Sequence, residues 1–264
     1  MLTADEYPNC ETFMEKATTW VLKSDAVRRA LKRSLWATDT TDLRPQMNGV
    51  CFDKTDEALN IVTSDGRALV RNEVAYEGKK GSFVMPKKAA KMLADLLDGI
   101  DDVDVVFDER HAAFSNGTMT LVFRNIEGHY PNYMSVFPVA KPYNLQANTM
   151  EWLKAARNVS NFSSANTRMV KLSISTDQQM TLTGECIDLS IVATDKIGIS
   201  YAGDVDMSIG VKADLLIEAL SHIAEPRVYM DFTDPTRALT ITPEEPMYEG
   251  ENVTMLLMPM MLND

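Results

Sequence analysis

The sequence predicts an α+β protein built as a tandem repeat. Each half is a mostly antiparallel sheet with two amphipathic helices on one face. Three observations predict it. Short segments rich in β-branched and aromatic residues recur along the chain, punctuated by turn signals such as Ser64-Asp65-Gly66 and Asn116-Gly117, where glycine accepts the positive φ of a tight hairpin. Four longer segments carry apolar residues at helical spacing instead. The order of elements then repeats at an offset of roughly 120–125 residues, in keeping with ordinary domain sizes: Val84-Met-Pro-Lys-Lys matches Ile209-Gly-Val-Lys-Ala, and Val103-Asp-Val-Val-Phe-Asp matches Val228-Tyr-Met-Asp-Phe-Thr.

In order, residues 1–16 are polar and poorly patterned, a leader before the first strand at Thr19–Leu22. Ser24–Trp36 reads as a helix with Val27, Ala30, Leu31 and Leu35 on one side. Strands are expected at Gly49–Asp53, Ala58–Thr63, Arg67–Glu73 and Ser82–Met85. Pro86 suits the first position of a second helix, Pro86–Leu97, with Ala89, Met92, Leu93 and Leu96 as its apolar side. Strands at Val103–Asp108, Ala112–Asn116 and Thr118–Arg124 complete a first domain over 17–139, and Asn125–Pro138 is a Pro-punctuated crossing. The second domain, 147–264, opens on a helix at Met150–Ser160 that Asn148 or Thr149 can cap. Strands follow at Val170–Ser175, Gln179–Glu185, Asp188–Asp195 and Met207–Val211, then a helix at Lys212–Ile223. Strands at Val228–Phe232, Ala238–Thr242 and Val253–Met258 close the chain.

Composition narrows the function classes. The 264 residues are 45% apolar and 24% charged, ordinary for a globular protein. Cys10, Cys51 and Cys186 are odd in number and form no Cys-x-x-Cys pair, which argues against a disulfide framework or structural zinc and fits a reducing cytoplasm. The start, MLTADEYPNCETF, lacks the basic and apolar regions of a signal peptide. Catalytic candidates are few. His111, His129 and His222 are isolated from metal-ligand spacings, and the carboxylates around Asp101–Asp104 and Asp108–Glu109 fit a solvated rim without EF-hand spacing. Glycine-rich phosphate loops and nucleophile elbows are missing from the sequence. The reading is a protein without catalysis, metal or cofactor.

The charge is sorted. Against a net −12, Ser24–Trp36 carries +3, with Arg28, Arg29, Lys32 and Arg33 opposite its apolar side. Pro86–Leu97 carries +2, with Lys87, Lys88 and Lys91 outward, and Lys154 and Arg157 stand on the polar side of Met150–Ser160. Taken alone, such faces fit solvated surface helices as well as a binding surface for polyanions. In Lys212–Ile223 the exposed side is instead dominated by Asp214 and Glu218.

The C-terminal run Thr254-Met-Leu-Leu-Met-Pro-Met-Met-Leu262 resembles the closing strand of the bacterial DNA polymerase III β subunit, the sliding clamp, which typically ends in Met-Pro-Met-Arg-Leu. Three further pieces fall in the same order. Arg44-Pro-Gln-Met-Asn-Gly-Val50 is similar to the family's Arg-Pro-x-Leu-x-Gly. Thr63-Ser-Asp-Gly-Arg-Ala-Leu69 is similar to its Ala-Thr-Asp-Gly-His-Arg-Leu hairpin. Ile126-Glu-Gly-His-Tyr-Pro-Asn-Tyr133 is similar to its Gly-x-Phe-Pro-Asp-Tyr segment. The resemblance covers most of this chain but only the middle and last thirds of the three-domain family protein.

The resemblance implies a DNA-clamp fold in a ring of six like domains, helices lining the hole. Two-domain chains would close it as a homotrimer. It places Arg28, Arg29, Lys32, Arg33, Lys87, Lys88, Lys91, Lys154 and Arg157 against double-stranded DNA, held without regard to sequence. It also implies a groove for short peptides of a DNA polymerase and a clamp loader, lined by Ser64, Gly66, Arg67, Leu69, Pro131, Val136, Leu215, Ala238, Leu256, Met258, Pro259 and Met260. Departures occur there: Ser135 stands where arginine is common, Leu215 replaces a tyrosine, and Met261 replaces the terminal arginine. The second reading is a clamp-fold adaptor or decoy that binds those peptides without encircling DNA.

Overall fold

The computed structural model describes residues 17–41, 43–138, 140 and 142–262; the expected leader over 1–16 and the last two residues lie outside the described residues. The first repeat runs β1 (Thr18–Lys23), α1 (Ser24–Ser34), β2 (Gly49–Lys54), β3 (Leu59–Ser64), β4 (Ala68–Val74), β5 (Gly81–Pro86), α2 (Lys87–Leu96), β6 (Asp102–Phe107), β7 (His111–Ser115) and β8 (Thr120–Arg124). The second runs in the same order: β9 (Tyr143–Asn148), α3 (Thr149–Ser160), β10 (Met169–Ser175), β11 (Gln179–Cys186), β12 (Ile191–Tyr201), β13 (Met207–Lys212), α4 (Ala213–Ser221), β14 (Arg227–Phe232), β15 (Leu239–Pro243) and β16 (Glu251–Leu257).

The pairing repeats with the order. β1 lies antiparallel to β6, with Trp20 opposite Val105, as β9 lies to β14, with Leu145 opposite Met230. β2 pairs β5 as β10 pairs β13, and the β6–β7–β8 run answers β14–β15–β16. Two compact units result. The first holds residues up to Thr63 with Asn72–Pro131; the second holds Ser64–Arg71 with Asn132 onward, so the β3–β4 turn and the start of β4 belong to the second unit.

In the first unit the bulk of the core sits on the strands. Trp20, Phe52, Phe83, Phe107 and Phe114 interlock, with Trp20 and Phe107 centroids 4.4 Å apart and Phe52 stacked on Phe83 at 4.9 Å. The helices above supply small residues: α1 buries Ala26, Val27, Ala30 and Leu31, and α2 buries Ala89, Ala90, Leu93 and Ala94. Met92, expected on the apolar side of α2, is exposed. α2 instead turns Ala89, Ala90, Leu93 and Ala94 inward and lies beside α1. Pro86 ends β5 and serves as N-cap of α2, one position before the expected one.

In the second unit the helix itself carries bulk: Trp152 on α3 is fully buried. Asn148 is the cap of α3, its Oδ1 accepting from the Glu151 backbone N–H at 3.0 Å. α3 lies so close to its sheet that a Cβ on Gly184 would stand 2.1 Å from the Val159 carbonyl oxygen, a position only glycine fits. The strand β9 was not expected, and β12 extends well past the expected end of its segment. Leu145 and Ala147 are the buried side chains of β9, too weak an alternation to read from sequence.

Candidate nucleic-acid interface and peptide groove

The cations of the first unit project from α1 and α2, which pack side by side. Lys32, Lys88 and Lys91 are exposed, and Arg28, Arg29, Arg33 and Lys87 are partly covered. Burial, with the nearby charge of Lys91 adding to it, lowers the pKa of Lys87. Lys87 and Lys91 therefore share one concentrated positive field, at the side of the helix pair away from the core. Arg28 differs. Its Nη2 lies 2.8 Å from the Asp98 carboxylate just beyond α2, so part of its charge is neutralised within the unit. The sequence placed Arg28 with the other cations because it shares their helical face; the ion pair depends on tertiary packing and leaves no local signal.

The second unit handles charge in another way. Lys154 and Arg157 are exposed on α3, while Asn158 donates to Asp195 at 2.9 Å. On α4 Asp214 accepts from Arg168 Nη2 at 2.9 Å, and Glu218 lies 3.5 Å from His222. Arg168 is held above its usual pKa by that hydrogen bond and the Asp214 charge. α4 thus presents paired carboxylates, as the Asp214 and Glu218 pattern suggested.

Of the residues assigned to the groove, all except Pro131 fall in the second unit; exposed Pro131 is the last residue of the first. Ser64, Gly66 and Arg67 form the β3–β4 turn. Ser64 Oγ donates to the Ala68 carbonyl at 2.8 Å and accepts from the Gly66 N–H at 3.1 Å, while Gly66 takes φ +83°. The Ser64 hydroxyl is therefore spent on shaping the turn. Leu69, Ala238 and Leu256 are buried and act as support behind the surface.

The surface itself is apolar and sewn together by backbone bonds. The Met258 N–H donates to the Arg67 carbonyl at 2.8 Å, and the Met260 N–H donates to Gly210 at 2.8 Å, so the segment after β16 is pinned on both sides. Met258 remains 43% exposed, Pro259 and Met260 are half-buried, and α4, which carries half-buried Leu215, packs against β16. Val136, 47% exposed, sits on the short 3-10 helix Tyr133–Val136. Phe137 follows it beneath the Arg71 guanidinium, 5.6 Å from the ring centroid. Met134 on the same turn is likewise exposed, at 50%. Flexible thioethers beside a fixed backbone suit short peptides with apolar anchors of varied shape.

With this geometry in place, comparison with known proteins gives two adjoining matches. The central domain of the DNA polymerase III beta subunit matches residues 21–132, and its C-terminal domain matches residues 134–261. The chain belongs to the DNA polymerase III beta subunit family. The beta sliding clamp of Bacillus subtilis is 22% identical over 264 residues, taking in 98% of this chain and 68% of that protein. That of Caulobacter vibrioides is 27% identical over 241 residues, or 88% of this chain and 63% of that protein. A DNA polymerase sliding clamp from Pseudomonas aeruginosa superposes with a TM-score of 0.88 at 20% identity, over 99% of this chain and 70% of that one. The beta subunit of Thermotoga maritima does so with a TM-score of 0.89 at 22% identity over the same shares. The chain thus spans about two thirds of the length of the family members it matches, and the expected fold class, an α+β clamp repeat, stands. Among the described residues no helix is long and apolar enough to cross a membrane, and no cluster of three or more His, Cys, Asp or Glu is placed to hold a metal ion.

Proposed function

We propose that this protein is a DNA sliding clamp, a processivity factor that encircles duplex DNA in the cytoplasm and tethers a DNA polymerase, its clamp loader and other replication or repair proteins. It has no catalysis of its own. The observation that carries this reading is the sorting of charge: a chain of net −12 concentrates cations on the outward faces of α1 and α2, with Lys154 and Arg157 of α3 in support. Such cations meet phosphates without reading bases, and counterion exchange lets the contacts slide. The acidic remainder repels DNA elsewhere. A homotrimer supplies six repeats for a closed ring, and closed point-group assembly is the usual outcome for like subunits. The surface around Met258, Pro259 and Met260 receives the partner peptides.

An adaptor that binds peptides alone predicts a different result in one experiment. Arg29→Glu, Lys32→Glu and Arg33→Glu together abolish retention on nicked circular DNA in the clamp reading, while binding of a fluorescein-labelled polymerase peptide stays at the wild-type level. Undiminished DNA retention in this variant would falsify the clamp reading.

A further inference from the structure

The tandem repeat puts two different residues under the same turn of two equivalent helices. The first N–H of α1, on Ser24, donates to the Asp101 carbonyl at 3.0 Å, and the first N–H of α3, on Thr149, donates to the Pro226 carbonyl at 3.0 Å, so the helices start alike. Ser34, ten residues after Ser24, therefore corresponds to Val159, ten residues after Thr149. The strands beneath are in register as well. Gly49 opposite Pro86 answers Met169 opposite Lys212, and Cys51 opposite Val62 answers Lys171 opposite Thr183. The next residues along, Thr63 and Gly184, are then a matched pair, and they meet the matched carbonyls of Ser34 and Val159.

The two contacts differ in kind. Thr63 is fully buried, and its Oγ1 donates to the Ser34 carbonyl at 2.8 Å. Asn72 on β4, also buried, donates from Nδ2 to the Ala30 carbonyl at 3.3 Å. The last carbonyls of a helix lack partners inside it, so side chains that stand up from the sheet hold α1 at its C-terminal turn. In the second repeat the Val159 carbonyl accepts from the nearby Phe162 N–H at 3.0 Å. Gly184 lets that carbonyl come down onto the strand, where a Cβ would lie 2.1 Å from its oxygen. α3 thus rests against strand backbone, whereas a threonine side chain and a hydrogen bond stand between α1 and its strand. The helix held off in this way is the one with Lys32 and Arg33 in its last turn.

We propose that Thr63 is a positioning residue for DNA binding: its side chain sets the height of the last turn of α1 above the sheet and so carries Lys32 and Arg33 out to the phosphates. This rests on the clamp reading above and adds to it a buried residue that touches no DNA. Attraction between exposed charges is screened within about 10 Å at 0.1 M salt. A helix that sinks toward its sheet therefore loses phosphate contacts, and with them the release of counterions.

The test is fluorescence anisotropy of a labelled duplex titrated with the full chain over a range of salt. Thr63→Gly leaves the place as Gly184 leaves it in the second repeat. It is expected to weaken binding about tenfold at 0.15 M NaCl and to lower the slope of log affinity against log salt by about one to two units. Thr63→Ser keeps a hydroxyl at the same place and is expected to bind with the wild-type slope. A wild-type slope in Thr63→Gly overturns the positioning role even where its urea midpoint falls, because a lost core contact alone lowers stability without changing the number of phosphates met. If the glycine variant does not fold, Thr63→Ala removes the same hydroxyl and is expected to lose slope in the same direction; a wild-type slope there overturns the role equally. A wild type that binds no duplex, or binds it without salt dependence, overturns the clamp reading and the positioning role with it.

Discussion

The two helix pairs share a fold and use it differently. In the first repeat, α1 and α2 are built from alanines and leucines below and cations above, and the aromatic bulk lies in the strands beneath them. In the second, α3 brings its own Trp152 to the core, and α4 offers carboxylates already engaged by Arg168 and His222. The difference teaches that the repeated scaffold fixes where a helix sits and leaves its outer face free. The first pair spends that freedom on a concentration of cations; the second keeps cations on α3 and holds the Asp214 carboxylate of α4 in an ion pair with Arg168. Packing and binding are thereby separable, and substitutions can address one without the other.

The largest effects are expected from below the helices. Leu31→Ala and Trp152→Ala each remove a side chain with no solvent exposure to speak of and should cost about 2–5 kcal/mol, measured by urea denaturation. A loss under about 1 kcal/mol for Trp152→Ala would mean that α3 does not carry bulk for its repeat. Next comes the outer face. Reversing Lys32, Lys88 and Lys91 to glutamate should weaken DNA binding by about tenfold or more at 0.15 M salt and flatten the salt dependence by roughly one unit of slope per lost phosphate contact. The same DNA titration with Asp214→Asn and Glu218→Gln should change little. If the α4 changes matter as much as the α1 and α2 changes, the contrast between the pairs collapses.

Smaller effects sharpen the contrast at helix ends and in ion pairs. Asn148→Ala removes the side-chain cap of α3 and should cost about 1 kcal/mol in thermal unfolding. Lys23 at the corresponding place before α1 provides no side-chain cap, so Lys23→Ala should lack this penalty. Smallest of all, Arg28→Ala should change DNA affinity less than Lys88→Ala does, because Asp98 already holds Arg28; Asp98→Asn should release it and raise affinity slightly, read by fluorescence anisotropy.

Legibility in the sequence followed the physics of each element. Helices α1 and α3 stand out because Val27, Ala30 and Leu31, or Trp152, Ala156 and Val159, repeat at helical spacing and are buried. The β3–β4 turn was legible because Gly66 needs its positive φ. β9 was not, since Tyr143 and Asn144 are only partly covered and Gln146 faces a polar neighbour, Glu244. The strand expected at Asp188–Asp195 starts later, at Ile191, because Ile187–Leu189 form a short 3-10 turn whose apolar side chains are exposed. For the site, helical spacing grouped the cations, but the Arg28–Asp98 pair and the turn-closing role of Ser64 arise from contacts that only the folded chain creates.

The claim that matters most is that DNA is held by enclosure, with the cations of α1 and α2 only guiding it. The direct measurement is protein retained on a nicked circular plasmid through gel filtration at 0.15 M NaCl, before and after the plasmid is cut once by a restriction enzyme. Enclosure predicts co-elution with the circle and loss of most of the protein on linearisation. Equal retention on both forms, or equal loss from both, would contradict it.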